Sequence, residues 1–261
     1  MTRILITNDD GVDAPGIRAL AEAVRARGFD PVVAAPAEEQ SGMSAALTAV
    51  TEGGRVTLKT RPHGYGVTAT PAYIVVLAFL GVFGPPPDIV LSGINRGANT
   101  GRGVLHSGTV GAALTAANHG ARALAVSLDI IAPADVHSGG AAFSITADES
   151  LHWTTAAEQA ADLLDWLTES PPATVANLNV PDRPASALAG LRPATLATFG
   201  QVNMAVAERG DDFARLTLER GAPPEEGSDV ALLTQGYATL TALSPISEAT
   251  TIPIPTQRTP R

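Results

Sequence analysis

The 261-residue chain has no cysteine and only one lysine, Lys59. Without cysteine there are no disulfides, thiolate zinc sites, iron–sulfur clusters or thiol nucleophiles, and the chain fits a reducing compartment. Its most apolar run, residues 74–83, is 10 residues long, half of the roughly 20 that a membrane-crossing helix needs; it reads as a buried helix. Met1-Thr2-Arg3 leads straight into Ile4-Leu5-Ile6 with no signal-peptide core. The expectation is a cytoplasmic protein with no membrane partner. The histidines (His63, His106, His119, His137 and His152) show no His-x-x-x-His spacing, which argues against a histidine zinc site.

What is present is a core-forming composition, 45% hydrophobic and 16% charged. The net charge is −9, from 17 basic and 26 acidic side chains. Such a field disfavours a nucleic acid polymer as partner. It leaves room for a small anionic substrate, because a bound cation reverses the local sign. Arginine supplies the other 16 basic residues, read here as compositional bias.

Strand and helix signals alternate through the first 130 residues. Residues 3–7 form a β-rich run, and Pro15 opens a helix with Ile17, Leu20, Ala21 and Val24 at helical spacing and Gly28 as its stop. Further strands are expected at 31–35, 88–92, 123–128 and 174–180, with helices at 71–82, 110–118 and 148–168. Residues 47–69 read as short strands or a hairpin. The fold class is α/β, a Rossmann-like open and mostly parallel sheet with right-handed crossovers. Residues 1–185 make the catalytic core, residues 186–247 a C-terminal β-hairpin or arm region including strands at 213–218 and 237–243, and residues 248–261 a flexible tail.

In such a sheet ligands bind beyond the carboxyl ends of the strands. Polar sequences stand at three of those ends: Asn8-Asp9-Asp10-Gly11, then Glu38-Glu39-Gln40-Ser41-Gly42, then Ser92-Gly93-Ile94-Asn95-Arg96-Gly97-Ala98-Asn99. The adjacent carboxylates Asp9 and Asp10 repel unless a cation intervenes, and a hard divalent ion such as Mg²⁺ or Mn²⁺ resolves the conflict. Ser41 and Asn95 offer neutral oxygen ligands. The competing reading is an Asx turn that caps the next helix. Ser107-Gly108-Thr109 opens a helix whose N–H groups and hydroxyls can cradle a phosphate; an ordinary Ser cap is the alternative. His106 beside it is a candidate general acid. Neither a Walker A loop nor a dinucleotide fingerprint is present.

Asn8-Asp9-Asp10-Gly11, Ser41-Gly42, Ser92 to Asn99, and Ser107-Gly108-Thr109-Val110 occur in this order and at intervals that resemble the SurE family of metal-dependent nucleotidases and acid phosphatases. The resemblance is dense to about residue 128, with Asn177-Leu178-Asn179-Val180-Pro181 and Gly236-Tyr237 as later echoes. It implies one divalent metal ion per subunit (Mg²⁺ or Mn²⁺) held by Asp9, Asp10, Ser41 and Asn95. It also implies a phosphate surrounded by Asn99, Ser107, Gly108 and Thr109, and a homodimer or homotetramer formed through the C-terminal region. Asp9, Asp10 and Asn99 are the expected catalytic residues. Metal-activated water and a carboxylate nucleophile both remain open.

The implied activity is phosphate-monoester hydrolysis of nucleoside 5′- or 3′-monophosphates. The alternatives are a specialised non-nucleotide phosphate ester, or a phospho-ligand binder that does not hydrolyse. Gln40 stands where the family often has Arg, Tyr73 ends its usual Gly-Thr-Pro-Ala-Asp, Thr115 replaces a Glu, and Thr239-Leu240-Thr241-Ala242 replaces Ser-Ile-Thr-Pro. A phosphoacceptor receiver domain fits poorly. Lys59 is the only lysine, and the strand at 88–92 runs into Ser92-Gly93-Ile94-Asn95 where that domain needs an aspartate.

Overall fold

The computed structural model describes residues 2–130, 148–199, 202–210, 213–220 and 223–251. In chain order the first half contains β1 (Ile4–Thr7), α1 (Pro15–Ala26), β2 (Val32–Pro36), β3 (Thr51–Glu52), β4 (Arg55–Val56), β5 (Leu58–Arg61), β6 (Gly64–Val67), α2 (Pro71–Phe79), β7 (Ile89–Arg96), α3 (Gly108–Asn118) and β8 (Arg122–Asp129). The second half contains α4 (Trp153–Asp162), α5 (Leu164–Glu169), β9 (Val175–Pro181), β10 (Leu191–Pro193), β11 (Val202–Arg209), β12 (Ala214–Arg220), α6 (Asp229–Thr234) and β13 (Ala238–Leu243).

Nine strands join in one sheet, ordered β10-β13-β9-β8-β7-β1-β2-β6-β5. The six from β6 to β9 are mutually parallel, and β5 and β13 run antiparallel to their neighbours β6 and β9. Within the parallel set the chain moves outward from β1 to β2 and β6, then returns to start β7 on the other side of β1. That reversal leaves a crevice between the carboxyl ends of β1 and β7, where doubly wound folds place ligands. The α/β expectation holds.

Two apolar layers cover the sheet. Ile17, Leu20 and Val24 of α1 join Ala156, Ala160 and Leu164 over one face, while Ile74 and Val75 of α2 and Val110, Ala113 and Ala117 of α3 cover the other. The sequence stops the helices cleanly. Gly28, Gly81, Gly120 and Gly236 each follow a helix with φ between +84° and +89°. In each case the glycine and the residue after it donate N–H bonds back to the last turn, as a Schellman closure requires. Gly81 therefore ends α2 at Phe79, before the expected 82.

Three elements differ from expectation. The strand expected at 88–92 continues to Arg96, because Gly93 and Ile94 together face one residue of β8 and the pairing resumes at Asn95 and Ser127; this is a bulge marked by a glycine. The helix expected at 148–168 begins as a 3₁₀ turn (Asp148–Ser150) and breaks at Leu163 between α4 and α5. Ala238–Leu243 is not part of an appended hairpin: it lies inside the main sheet between β9 and β10. Among the described residues of that region, β11 and β12 form the separate two-stranded ribbon. Most of the tail expected at 248–261, and His137, lie outside the described residues.

Candidate functional site

The site is built on the β1–β7 crevice. Asn8 side-chain bonds with Gly11 (Nδ2 to the carbonyl at 2.9 Å, Oδ1 from the N–H at 3.1 Å) turn the chain sharply after β1. The turn is thus an Asx-type structure, as the competing reading expected, and it also presents both carboxylates at the crevice.

Asp9 is buried and lies against the first turn of α3. The Thr109 hydroxyl donates to its Oδ1 at 2.5 Å, and a Cβ on Gly108 would meet its Oδ2 at 2.8 Å. Only glycine lets the helix approach so closely. Burial raises the Asp9 carboxyl above the ordinary aspartate value, while the Thr109 hydroxyl and backbone N–H oppose the shift. The positive end of the α3 dipole adds to that stabilisation of the anion.

Asp10 is pushed up to about 7, first by burial and then by the charge of Asp9, with Glu39 and Asp148 adding to the repulsion. Its Oδ2 accepts from the Arg96 N–H at 3.3 Å, so the bulged end of β7 reaches the carboxylate pair directly. Asn95 sits one residue earlier, with its Nδ2 donating to the Gly97 carbonyl at 2.7 Å, a bond that fixes the amide. The Arg96 guanidinium pairs with Asp148 at 3.0 Å.

The loop after β2 is anchored to Asp9 by the Gln40 N–H, which donates to the Asp9 carbonyl at 2.8 Å. Ser41 follows on the exposed side, its hydroxyl donating to Glu39 Oε1 at 2.6 Å. The next turn is held by Ser44, which donates to the Leu105 carbonyl at 2.6 Å. It passes so close to α3 that a Cβ on Gly111 would meet the Ser44 backbone at 2.5 Å.

Ser107 caps α3, its hydroxyl accepting from the Val110 N–H at 3.1 Å. Asn99 is fixed from beneath. Its Nδ2 donates to the Ser127 hydroxyl and its N–H to Asn179 Oδ1, each at 2.8 Å. Its carbonyl accepts from Asn177 and Asn179 at 2.8 and 2.9 Å. The fold therefore joins Asp9, Gly108 and Thr109 in direct contact and brings Asp10 to the backbone beside Asn95. It attaches Ser41 through the backbone of its neighbour Gln40. His106 ends the 3₁₀ turn Gly101–His106 in an exposed position.

Sequence reasoning missed Glu39, Asn177 and Asn179. Glu39 was legible as a charge in the loop after β2. The two asparagines alternate along an otherwise apolar strand, a pattern that signals two buried amides on one face.

Among the described residues no group of three or more His, Cys, Asp or Glu converges as a metal cluster. A two-carboxylate site completed by neutral oxygens agrees with that finding. Two adjacent carboxylates, Asp9 buried and Asp10 half-buried, both with raised pKa and, among the described residues, without a cationic side chain between them, fit a hard divalent cation.

The family model described as survival protein SurE matches residues 4–203. The chain belongs to the SurE family. It is 39% identical over 255 residues to a protein named 5′-nucleotidase SurE from Solidesulfovibrio magneticus, covering 92% of this chain and 91% of that one. To the protein of the same name from Nitratidesulfovibrio vulgaris (strain Miyazaki F) it is 37% identical over 254 residues, covering 92% and 86%. The crystal structure of the SurE protein from Aquifex aeolicus superposes with a TM-score of 0.77 at 29% identity, covering 95% of each chain. The SurE resemblance thus extends beyond the motifs of the first half into the sheet edge formed by β9, β13 and β10.

Proposed function

We propose that the protein is a metal-dependent phosphoric monoester hydrolase acting as a 5′-nucleotidase on nucleoside monophosphates. The observation that carries this reading is the Asp9–Asp10 pair against α3, at the switch point of a SurE-family sheet. Asp9, Asp10, Asn95 and Ser41 would hold one divalent ion, Mg²⁺ or Mn²⁺. Bound there, the ion supplies positive charge toward phosphate oxygens and Lewis acidity toward water.

The chain's own residues do the rest. Thr109 and the N-terminus of α3 favour the anionic form of Asp9 against its burial, and the Arg96 N–H does so for Asp10. Asn99, locked by Ser127, Asn177 and Asn179, positions the phosphoryl group without reorganising. Ser107, Gly108 and Thr109 form the wall of the phosphate pocket. Water forms the new P–O bond, the ester P–O bond breaks, and the leaving oxygen takes a proton.

The β11–β12 ribbon is the arm through which subunits pair as a homodimer or homotetramer. Val206 and Phe213 support this assignment, being 61% and 52% exposed on a ribbon outside the main sheet. Among the described residues no helix is long and apolar enough to cross a membrane, in line with a cytoplasmic location.

Phosphate release from a panel of 5′- and 3′-nucleotides, sugar phosphates, an aryl phosphate and short polyphosphate, with Mg²⁺, Mn²⁺ or EDTA, tests the reading. Fastest EDTA-sensitive turnover is expected with 5′-nucleotides. Turnover of the aryl ester alone would point to a specialised substrate, and silence with metal bound would point to a non-hydrolytic binder.

A further inference from the structure

Asp229 is fully buried at the start of α6, and no function assigned above uses it. Its side chain is satisfied by backbone N–H groups. Oδ2 accepts from the Gly101 N–H at 2.7 Å, and Oδ1 accepts from the N–H groups of Ala197 and Val230 at 3.0 and 2.9 Å. Gly101 lies two residues after Asn99. Ala197 lies just before the β11–β12 ribbon, and Asp229 itself lies just after it.

The surrounding contacts bind the same three segments. The Arg102 N–H donates to the Ala197 carbonyl at 3.1 Å, and the Asp229 N–H donates to the Thr195 carbonyl at 2.8 Å. Thr198 donates its hydroxyl to Glu225 at 2.5 Å, closing the base of the ribbon. Gly101 has φ +58°, and a Cβ there would meet the Phe199 carbonyl at 2.7 Å. The loop that leaves Asn99 is therefore pressed onto the base of the ribbon, with one carboxyl side chain bonded to both.

We propose that Asp229 is a positioning residue that fastens the Asn99–Gly101 loop to the two roots of the β11–β12 arm, so that the arm's seating sets the geometry of the phosphate-binding loop. The inference rests on the proposed hydrolase function and adds a residue to it. A carboxylate suits the task because it accepts on both oxygens. An asparagine accepts on only one, so its amide turns an N–H₂ either toward the Gly101 N–H or toward those of Ala197 and Val230, and releases what it faces.

The test is Asp229→Asn, with Ser228→Ala as control, since Ser228 caps α6 through the Ala231 N–H without touching Gly101. Three readings are made: Mn²⁺ affinity by calorimetry, inorganic phosphate affinity with Mn²⁺ present, and kcat and KM on an aryl phosphate. In D229N, Mn²⁺ affinity is expected to stay within twofold of wild type, while phosphate affinity and kcat fall at least tenfold. S228A is expected to lose thermal stability but keep kcat.

Unchanged phosphate affinity and kcat in D229N would overturn the inference. So would an equal loss of Mn²⁺ affinity, or a matching loss of kcat in S228A. Should D229N not fold, Gly101→Ala displaces the same loop from the other side and is expected to show the same phosphate-selective loss; its absence overturns the inference. A wild type that binds phosphate without hydrolysing it would remove the proposed function alone. One that does neither would remove both.

Discussion

Thr109 and Gly108 decide how Asp9 can act: the first supplies a hydroxyl to the carboxylate and the second makes room for it. Thr109→Val removes a hydrogen bond to a charged group, so the metal-free protein should lose about 1.5–3 kcal/mol of stability in urea unfolding. Asp9→Asn and Asp10→Asn should each abolish EDTA-sensitive phosphate release while circular dichroism stays unchanged. Asp10 also gives a pH signature. Its folded-state value, about 7, lies above the ordinary 3.8. The stability it contributes is therefore full below pH 3.8 and is lost as the pH rises through about 7. Metal-free protein should melt at falling temperature as the pH rises from 3.8 to about 7, D10N should flatten that slope, and the Mn²⁺-induced rise in Tm should grow over the same window. Asp9 and Asp10 were legible in the sequence because an acidic pair after an apolar strand is conspicuous. The close approach of Gly108 to Asp9 and the bonds of Asp229 were not, since a missing Cβ has meaning only against a neighbour, and a lone Asp at a helix start reads as an ordinary first-turn acid.

Elements were legible where local signals agreed with packing. Pro15 and Gly28 bracket α1, and its apolar spacing matches the residues it buries. The strand β7 was read short because Gly93 looks like the start of a loop, whereas the parallel neighbour β8 carries the pairing through the bulge to Arg96. That extension is what delivers the Arg96 N–H to Asp10. The segment from 148 was read as one helix because its apolar spacing continues through Leu163, where the structure places the break. Ser107 belongs to this scale as well. It caps α3, and Ser107→Ala should lower stability by about 1 kcal/mol in urea unfolding.

At the scale of the molecule, the β1–β7 reversal puts the site on a sheet held from both faces, so the carboxylates and Asn99 rest on rigid strands. The order of the parallel strands was inferable as a class from the alternation of strand and helix. The placement of β13 was not, because pairing between β9 and a strand more than 50 residues later leaves no local trace. The ribbon β11–β12 remains outside the sheet, and the exposed Val206 and Phe213 are what the proposed pairing of subunits rests on. A V206D/F213D double variant should elute as a monomer in size-exclusion chromatography where the wild type elutes as a dimer or tetramer. The acidic chain offers its substrate phosphate little general attraction, so binding must rely on a local cation. Anomalous diffraction from crystals soaked in Mn²⁺ locates that cation without recourse to activity. One peak per subunit is expected against the carboxylates of Asp9 and Asp10, with oxygens of Asn95 and Ser41 completing the ligand set. No peak there at saturating Mn²⁺, or a peak only elsewhere, would mean that the acidic pair is not the metal site.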